Sequence, residues 1–253
     1  MKAVLYVCHG SRVKKGRDEA LAFIEQTKPF IDVPIQESCF LELADPTIEQ
    51  GLARCVKQGA TEIIVFPFLL LAASHAKKDI PLELEKAKFK FPSVKFHYAK
   101  PLGVHEAMVD ILVERMNETG HPILPGSSVL IVGRGSSDPQ TIADFAAIRD
   151  LFRSKTKLTD VNISYLAAAA PIFKEELQRL HHKQPTQLWV LPYLLFTGIL
   201  SKTLEKEIQS LQSPESIILT GCLGYHPAIR QIIDDRIKEA DSTGGCHYVS
   251  NHG

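Results

Sequence analysis

The chain repeats itself, and that repetition constrains its fold more than any single motif. Val4-Leu5-Tyr6-Val7-Cys8-His9-Gly10-Ser11 is answered by Val129-Leu130-Ile131-Val132-Gly133-Arg134-Gly135-Ser136, an offset of 125 residues. The same 125 relates Pro46 to Pro171 and Pro67-Phe68-Leu69-Leu70 to Pro192-Tyr193-Leu194-Leu195. Near the end of each half, Leu102-Gly103-Val104-His105 matches Leu223-Gly224-Tyr225-His226 at an offset of 121. One offset kept through three separated blocks means that whatever the first half folds into, the second half folds into as well.

Each half reads as strands alternating with helices. Short β-branched runs bounded by turn residues predict strands at 3–8, 34–40, 61–67 and 94–99, then at 129–134, 161–167, 187–192 and 216–220. Helical patterns fill the gaps at 13–29, 46–59, 79–90 and 103–118, then at 139–154, 171–183, 200–211 and 225–239. Asp79-Ile80-Pro81 looks like a helix start with a capping Asp and an early Pro. Such alternation predicts an α/β fold of two homologous lobes, each a four-stranded parallel sheet flanked by helices, facing one another across a cleft. The Gly/Pro-rich stretch Gly120–Ser128 is the expected linker between lobes at 1–120 and 127–240, with residues 241–253 as a flexible tail.

Composition narrows the function. Twenty-nine basic and 29 acidic residues give a formal net charge of zero, against the basic surplus usual in nucleic-acid proteins. No run of 18 apolar residues predicts a membrane span. The apolar start Met1–Val7 stops at Cys8-His9-Gly10 with no small-residue cleavage site, so it reads as a first strand and not as a signal peptide. Five cysteines without a Cys-x-x-Cys pair predict free thiols in a reducing cytoplasm.

Ligands of parallel α/β sheets bind beyond the carboxyl ends of the strands. In the first half those ends present His9, then Glu42, then His75 in the loop after the third strand. The 125 offset replaces them by Arg134, Ala167 and Leu200. Any one of the three, taken alone, is an ordinary strand-end or capping residue. Together, present at three strand ends of one half and gone from the other, they point to chemistry assigned to the first half. Two imidazoles and one carboxylate with open positions suit a divalent first-row ion such as Fe2+, Co2+ or Ni2+. The imidazoles must be neutral to bind it, so activity is expected to fall as they protonate in acid.

At this point the residues resemble a known family. Val7-Cys8-His9-Gly10-Ser11-Arg12, with Pro67-Phe68-Leu69-Leu70 leading to Ser74-His75, is similar to the class II chelatases, most closely their two-lobed sirohydrochlorin/cobalt branch, and the likeness runs from residue 3 to about 240. The resemblance implies a lyase that inserts Fe2+ into the tetrapyrrole sirohydrochlorin to give siroheme, with the cobalt insertion of cobalamin biosynthesis as the alternative. It implies no cofactor beyond the substrate metal; the internal duplication itself supplies both expected walls of the cleft, so a monomer is expected to suffice. In that branch the metal-site histidines lie in the N-terminal half, as His9 and His75 do here, whereas the protoporphyrin ferrochelatases keep theirs in the C-terminal half. His9, Glu42 and His75 would hold the metal, with Glu42 as third ligand or proton acceptor. The second lobe would press the other face of the ring, through Ala167 and Leu200. The substrate is a polycarboxylate, so cations and backbone N–H groups should meet it. Arg134 is the strongest candidate, since a guanidinium takes a carboxylate through two parallel hydrogen bonds. Gly10, Ser11, Arg12, Ser74, Lys77 and Ser136 are further candidates, with Lys78 and Lys202 nearby.

Other residues read as structural: Cys8 and Trp189 as packing, His181-His182 as a helix end, and His105 and His226, kept in both halves, as part of the fold. Cys246, His247 and His252 belong to the expected tail. Two further functions compete: a non-catalytic tetrapyrrole or metal carrier with the same ligands, and a histidine phosphatase suggested by His9-Gly10. The latter lacks an Arg immediately before the His, where Cys8 stands.

Overall fold

The computed structural model describes residues 1–10, 13–73, 75–212 and 214–242, with His75 described by its backbone alone. The first sheet holds β1 (Lys2–Cys8), β2 (Ile35–Phe40), β3 (Glu62–Phe68) and β4 (Lys95–Tyr98) in the order β2-β1-β3-β4, all parallel. The second holds β5 (Ser128–Gly133), β6 (Val161–Tyr165), β7 (Leu188–Pro192) and β8 (Ile217–Leu219) in the order β6-β5-β7-β8, again parallel. The helices are α1 (Lys14–Thr27), α2 (Ile48–Lys57), α3 (Ile80–Lys90), α4 (Glu106–Glu118), α5 (Pro139–Thr156), α6 (Phe173–His182), α7 (Ile199–Gln209) and α8 (Pro227–Ser242). Two four-stranded parallel sheets, each flanked by helices, are the architecture expected from the repeat. Cis peptides at Asp45-Pro46 and Ala170-Pro171 recur at the same offset.

The central strands are apolar without alternation because both faces are covered. On one face of the first sheet Ala3, Leu5, Val7, Ile63 and Val65 pack on Leu52 and Cys55 of α2 and on Ile80 and Leu84 of α3. On the other, Phe23 of α1 stacks on Phe68 with ring centroids 5.5 Å apart. The second sheet repeats this, with Leu130, Val132, Leu188 and Val190 against Phe173 and Leu177 of α6 and Leu204 and Ile208 of α7. Each Val, Leu, Ile or Phe among them removed from water contributes roughly 1.5–3 kcal/mol.

The compact units of the fold differ from the repeats of the sequence in one respect. One unit is Met1–Gly103 together with Ile229 onward, and the other is Val104–Ala228. The last helix of each repeat therefore completes the other repeat's unit. The reason lies in matched anchors. Arg236 of α8 donates through Nε to the Pro101 carbonyl and through Nη2 to the Leu102 carbonyl, both at 3.1 Å. Lys2 reaches Asp241 of α8 at 2.6 Å. In the other unit, Arg115 of α4 donates to the Leu223 carbonyl at 2.8 Å and His226 meets Glu114 at 2.6 Å. Arg115 and Arg236 obey the same 121 offset as Leu102 and Leu223. The held loops brace the site-bearing loops in turn: Leu102 and Gly103 N–H donate to the Leu69 and Leu70 carbonyls, as Leu223 and Gly224 do to Leu194 and Leu195. Thr243–Gly253, with Cys246, His247 and His252, lie outside the described residues.

Candidate functional site

The first two strands of the first sheet end in register, Cys8 opposite Phe40, and the ladder continues one step beyond them. Leu41 N–H donates to the Cys8 carbonyl at 2.8 Å and Glu42 N–H to the His9 carbonyl at 3.2 Å. This brings the two side chains together, with His9 Nδ1 3.6 Å from Glu42 Oε1, both partly exposed. The approach depends on Gly10. Its φ of +94° belongs to the left-handed region, and a Cβ there would lie 1.8 Å from the Glu42 carbonyl oxygen. Gly135 stands in the same relation to the Ala167 carbonyl, at 1.8 Å and φ +92°. The turn is thus common to both repeats, while His9 and Glu42 belong to one.

At 3.6 Å the His9–Glu42 pair is electrostatic and not a hydrogen bond. His9 Nδ1 lies 3.3 Å from the Gly10 carbonyl. A carbonyl only accepts, so this contact calls for the proton on Nδ1 and leaves the Nε2 lone pair to bind an electrophile. An imidazole that ligates a metal through Nε2 needs that tautomer.

The third strand leads through Leu69–Ala73 into a π-helical turn over His75–Asp79, from which α3 continues. The backbone of His75 therefore opens this turn, beyond the carboxyl end of β3. Asp79 makes no capping hydrogen bond and has helical backbone angles, because the π turn has already started the helix; only the early Pro81 is as expected. Tyr98, at the end of β4, donates its hydroxyl to the Ala76 carbonyl at 2.7 Å inside this turn. Nothing in the sequence marks Tyr98 for this contact. Lys77 is half-buried and Lys78 exposed. Ser11, Arg12, Ser74 and the His75 side chain lie outside what is described, and among the described residues no three His, Cys, Asp or Glu side chains gather as a metal site. The described part of the expected set is the His9–Glu42 pair.

In the second repeat Arg134 is exposed just past β5, and its carbonyl accepts the Ala167 N–H at 2.9 Å. Ala167 and Lys202 are exposed, whereas Leu200 packs partly buried against the core of its own sheet. The Ser136 hydroxyl accepts the Asp138 N–H at 3.1 Å, and Asp138 caps α5 through the Gln140 N–H at 2.9 Å. The N-terminus of α5 thus begins past Gly135-Ser136 and already holds a carboxylate.

The residues read as structural behave so. His105 and His226 accept the N–H groups of Ala107 and Ala228 through Nδ1, at 3.1 and 3.2 Å, at the starts of α4 and α8. His182 Nδ1 meets the Gln178 carbonyl in the last turn of α6 at 2.7 Å, a favourable place for a cation-forming ring. Trp189 is fully buried with its indole N–H on Gln187. Cys8, beside His9, points into the core, and burial pushes its thiol pKa up to about 12, as it does that of Cys55. Burial raises Cys39 as well. At pH 8 a thiol with a pKa near 12 is ionised in about one molecule in ten thousand. Alkylation of the native protein at pH 8 is therefore expected to spare Cys8, Cys39 and Cys55, and to reach them after denaturation; peptide mass spectrometry reads the difference. Rapid native labelling of Cys8 would contradict the buried, neutral thiol.

Comparison with known proteins adds the following. A family model described as CbiX matches residues 3–119 and again 128–240. A sirohydrochlorin ferrochelatase of Priestia megaterium is 50% identical over 98% of this chain and 94% of its own length. A sirohydrochlorin cobaltochelatase of the same organism is 37% identical over 94% of this chain and 80% of its own. Among solved structures, SirB from Bacillus subtilis with Fe3+ superposes with a TM-score of 0.89 at 42% identity, covering 96% of this chain and 97% of that one.

Proposed function

The chain belongs to the CbiX family, matched once in each repeat, and from that premise we propose that it is a sirohydrochlorin ferrochelatase, a lyase that inserts Fe2+ into sirohydrochlorin to give siroheme. The observation that carries this reading is the half-identity, over nearly both full lengths, to a relative bearing that activity. The His9–Glu42 pair beyond β1 and β2 supports it from the chemistry.

Insertion exchanges one divalent ion for two pyrrole protons, so the site must hold a metal with replaceable positions and take protons away. His9, with Nε2 free of its proton, and His75, at the head of the π turn, hold the ion in this reading. Glu42 either completes the ligand set or accepts a pyrrole proton, and its 3.6 Å distance from His9 Nδ1 lets its charge stabilise the imidazole in either role. Arg134 takes a ring carboxylate, with Gly10, Ser11, Arg12, Ser74, Lys77 and Ser136 as weaker contributors, Ser136 through whatever its turn at α5 leaves available. The buried free thiols Cys8, Cys39 and Cys55 fit a reducing cytoplasm, and among the described residues no helix is long and apolar enough to cross a membrane.

Cobalt insertion is the second reading, favoured by the relative that is 37% identical and bears that activity; two imidazoles and a carboxylate accept Fe2+, Co2+ and Ni2+ alike. The test is an anaerobic assay with enzyme far below sirohydrochlorin, followed by visible absorption. Many turnovers with Fe2+, faster than with Co2+ or Ni2+, are expected. A faster cobalt rate would move the assignment to the second reading, and a spectral change stopping at one equivalent would make the protein a carrier.

A further inference from the structure

The turn that opens with His75 is itself peculiar to the first repeat, and so is the group that holds it. The corresponding part of the second repeat is the regular helix α7, started at Gly198 by the Ser201 side chain. Three substitutions accompany the change. Ala76 corresponds to Ser201 and Pro81 to Lys206 at the 125 offset. Tyr98 corresponds to Leu219, because Tyr98 pairs with Val65 and Leu219 with Val190, which are themselves 125 apart.

These differences have one physical reading. In a π turn a carbonyl is met by the N–H five residues on. For Ala76 that residue is Pro81, which has no N–H. Tyr98 supplies a donor instead: its hydroxyl lies 2.7 Å from the Ala76 carbonyl in a buried contact, and the tyrosine itself is only 7% exposed. In the second repeat Lys206 keeps the N–H, no π turn forms, and Leu219 carries no hydroxyl. The first repeat has thus acquired a donor-less proline, a widened turn and a tyrosine that satisfies it, next to the histidine that the second repeat has lost.

We propose that Tyr98 is a positioning residue for metal binding: its hydroxyl, through the Ala76 carbonyl, fixes the backbone from which the His75 imidazole projects. The inference rests on the reading of His75 as a ligand of the substrate metal. Tyr98 touches neither metal nor ring in this role, and its removal should loosen metal capture while leaving ring binding alone.

Tyr98→Phe in the full chain removes the hydroxyl and little else. Two quantities are read: the dissociation constant for Co2+ measured without tetrapyrrole, and the separate KM values for metal and sirohydrochlorin under turnover. The Co2+ dissociation constant and the metal KM are expected to rise about tenfold, as for the supporting partner of a metal ligand, with kcat at saturating metal and the sirohydrochlorin KM within about twofold of the parent. The His75→Ala variant is run beside it, and the double variant is expected to bind Co2+ no more weakly than His75→Ala alone, because the two lesions act on one ligand. Intact Co2+ binding in His75→Ala would refute the ligand reading itself. Weakened binding in His75→Ala with parental binding in Tyr98→Phe, or a Tyr98→Phe variant in which both KM values and the thermal midpoint shift together, would overturn the positioning role alone.

Discussion

Replacing His9 with alanine is expected to abolish catalysed metal insertion without unfolding the protein. The imidazole supplies an Nε2 lone pair that no described neighbour duplicates, and among the described residues no third His, Cys, Asp or Glu closes around it. Loss of about a thousandfold in kcat/KM for the metal, close to 4 kcal/mol of transition-state stabilisation, is the expected scale for a primary ligand, one to two orders above the roughly 10–100-fold of a supporting residue. The cost to the fold is small for three reasons. The side chain is 28% exposed, its Nδ1 lies against its own neighbour's carbonyl, and the ladder across His9 is made by its backbone, which alanine retains. A variant that melts with the parent and fails to turn over separates ligation from folding. A His9→Ala protein with parental kcat/KM at limiting metal would remove His9 from the mechanism and with it the argument from the repeat.

The strand-end pair is legible in the sequence because the chain carries its own comparison. Strand ends repeat at 125, so a residue that differs between the halves stands out against one that does not. His105 and His226 are both present and both cap helices; His9 and Arg134 differ, and His9 has the Glu42 carboxylate beside it. The strands were readable for a related reason, since β1 and β3 are buried on both faces and reduce to plain apolar runs. What escaped depends on pairing in three dimensions. The exchange of α4 and α8 between units rests on Arg115 and Arg236 meeting loop carbonyls, and an arginine on a helix surface carries no mark of which sheet it will serve. Asp79 has the residue type of a cap, but the π turn over His75–Asp79 already includes it. Tyr98 itself reads as an ordinary aromatic of a strand until the register shows Leu219 in the corresponding place of the second sheet.

The largest structural effect is expected from a single methyl group at Gly10. The added Cβ would meet the Glu42 carbonyl oxygen at 1.8 Å, with φ at +94°, so the strand-end turn must open. The left-handed backbone costs an L-residue about 1–3 kcal/mol, and forcing the contact apart costs a similar amount. Together, about 2–6 kcal/mol should lower the thermal midpoint by roughly 10 °C in a protein of this size. The same alanine at Gly135 meets the Ala167 carbonyl at the same 1.8 Å and nearly the same φ, so Gly135→Ala should be destabilised equally. Function should part the two. Opening the turn at Gly10 moves His9 from Glu42 and should raise the metal KM in whatever fraction stays folded, with the sirohydrochlorin KM little changed. Opening it at Gly135 moves Arg134 and should raise the sirohydrochlorin KM, leaving metal capture intact. Calorimetry and the two KM values on both variants, assayed well below their midpoints, decide the matter. Equal melting with opposite KM signatures would place metal and ring recognition on the corresponding turns of the two repeats. If the two variants shared one signature, that division of labour would fail even with the clash confirmed.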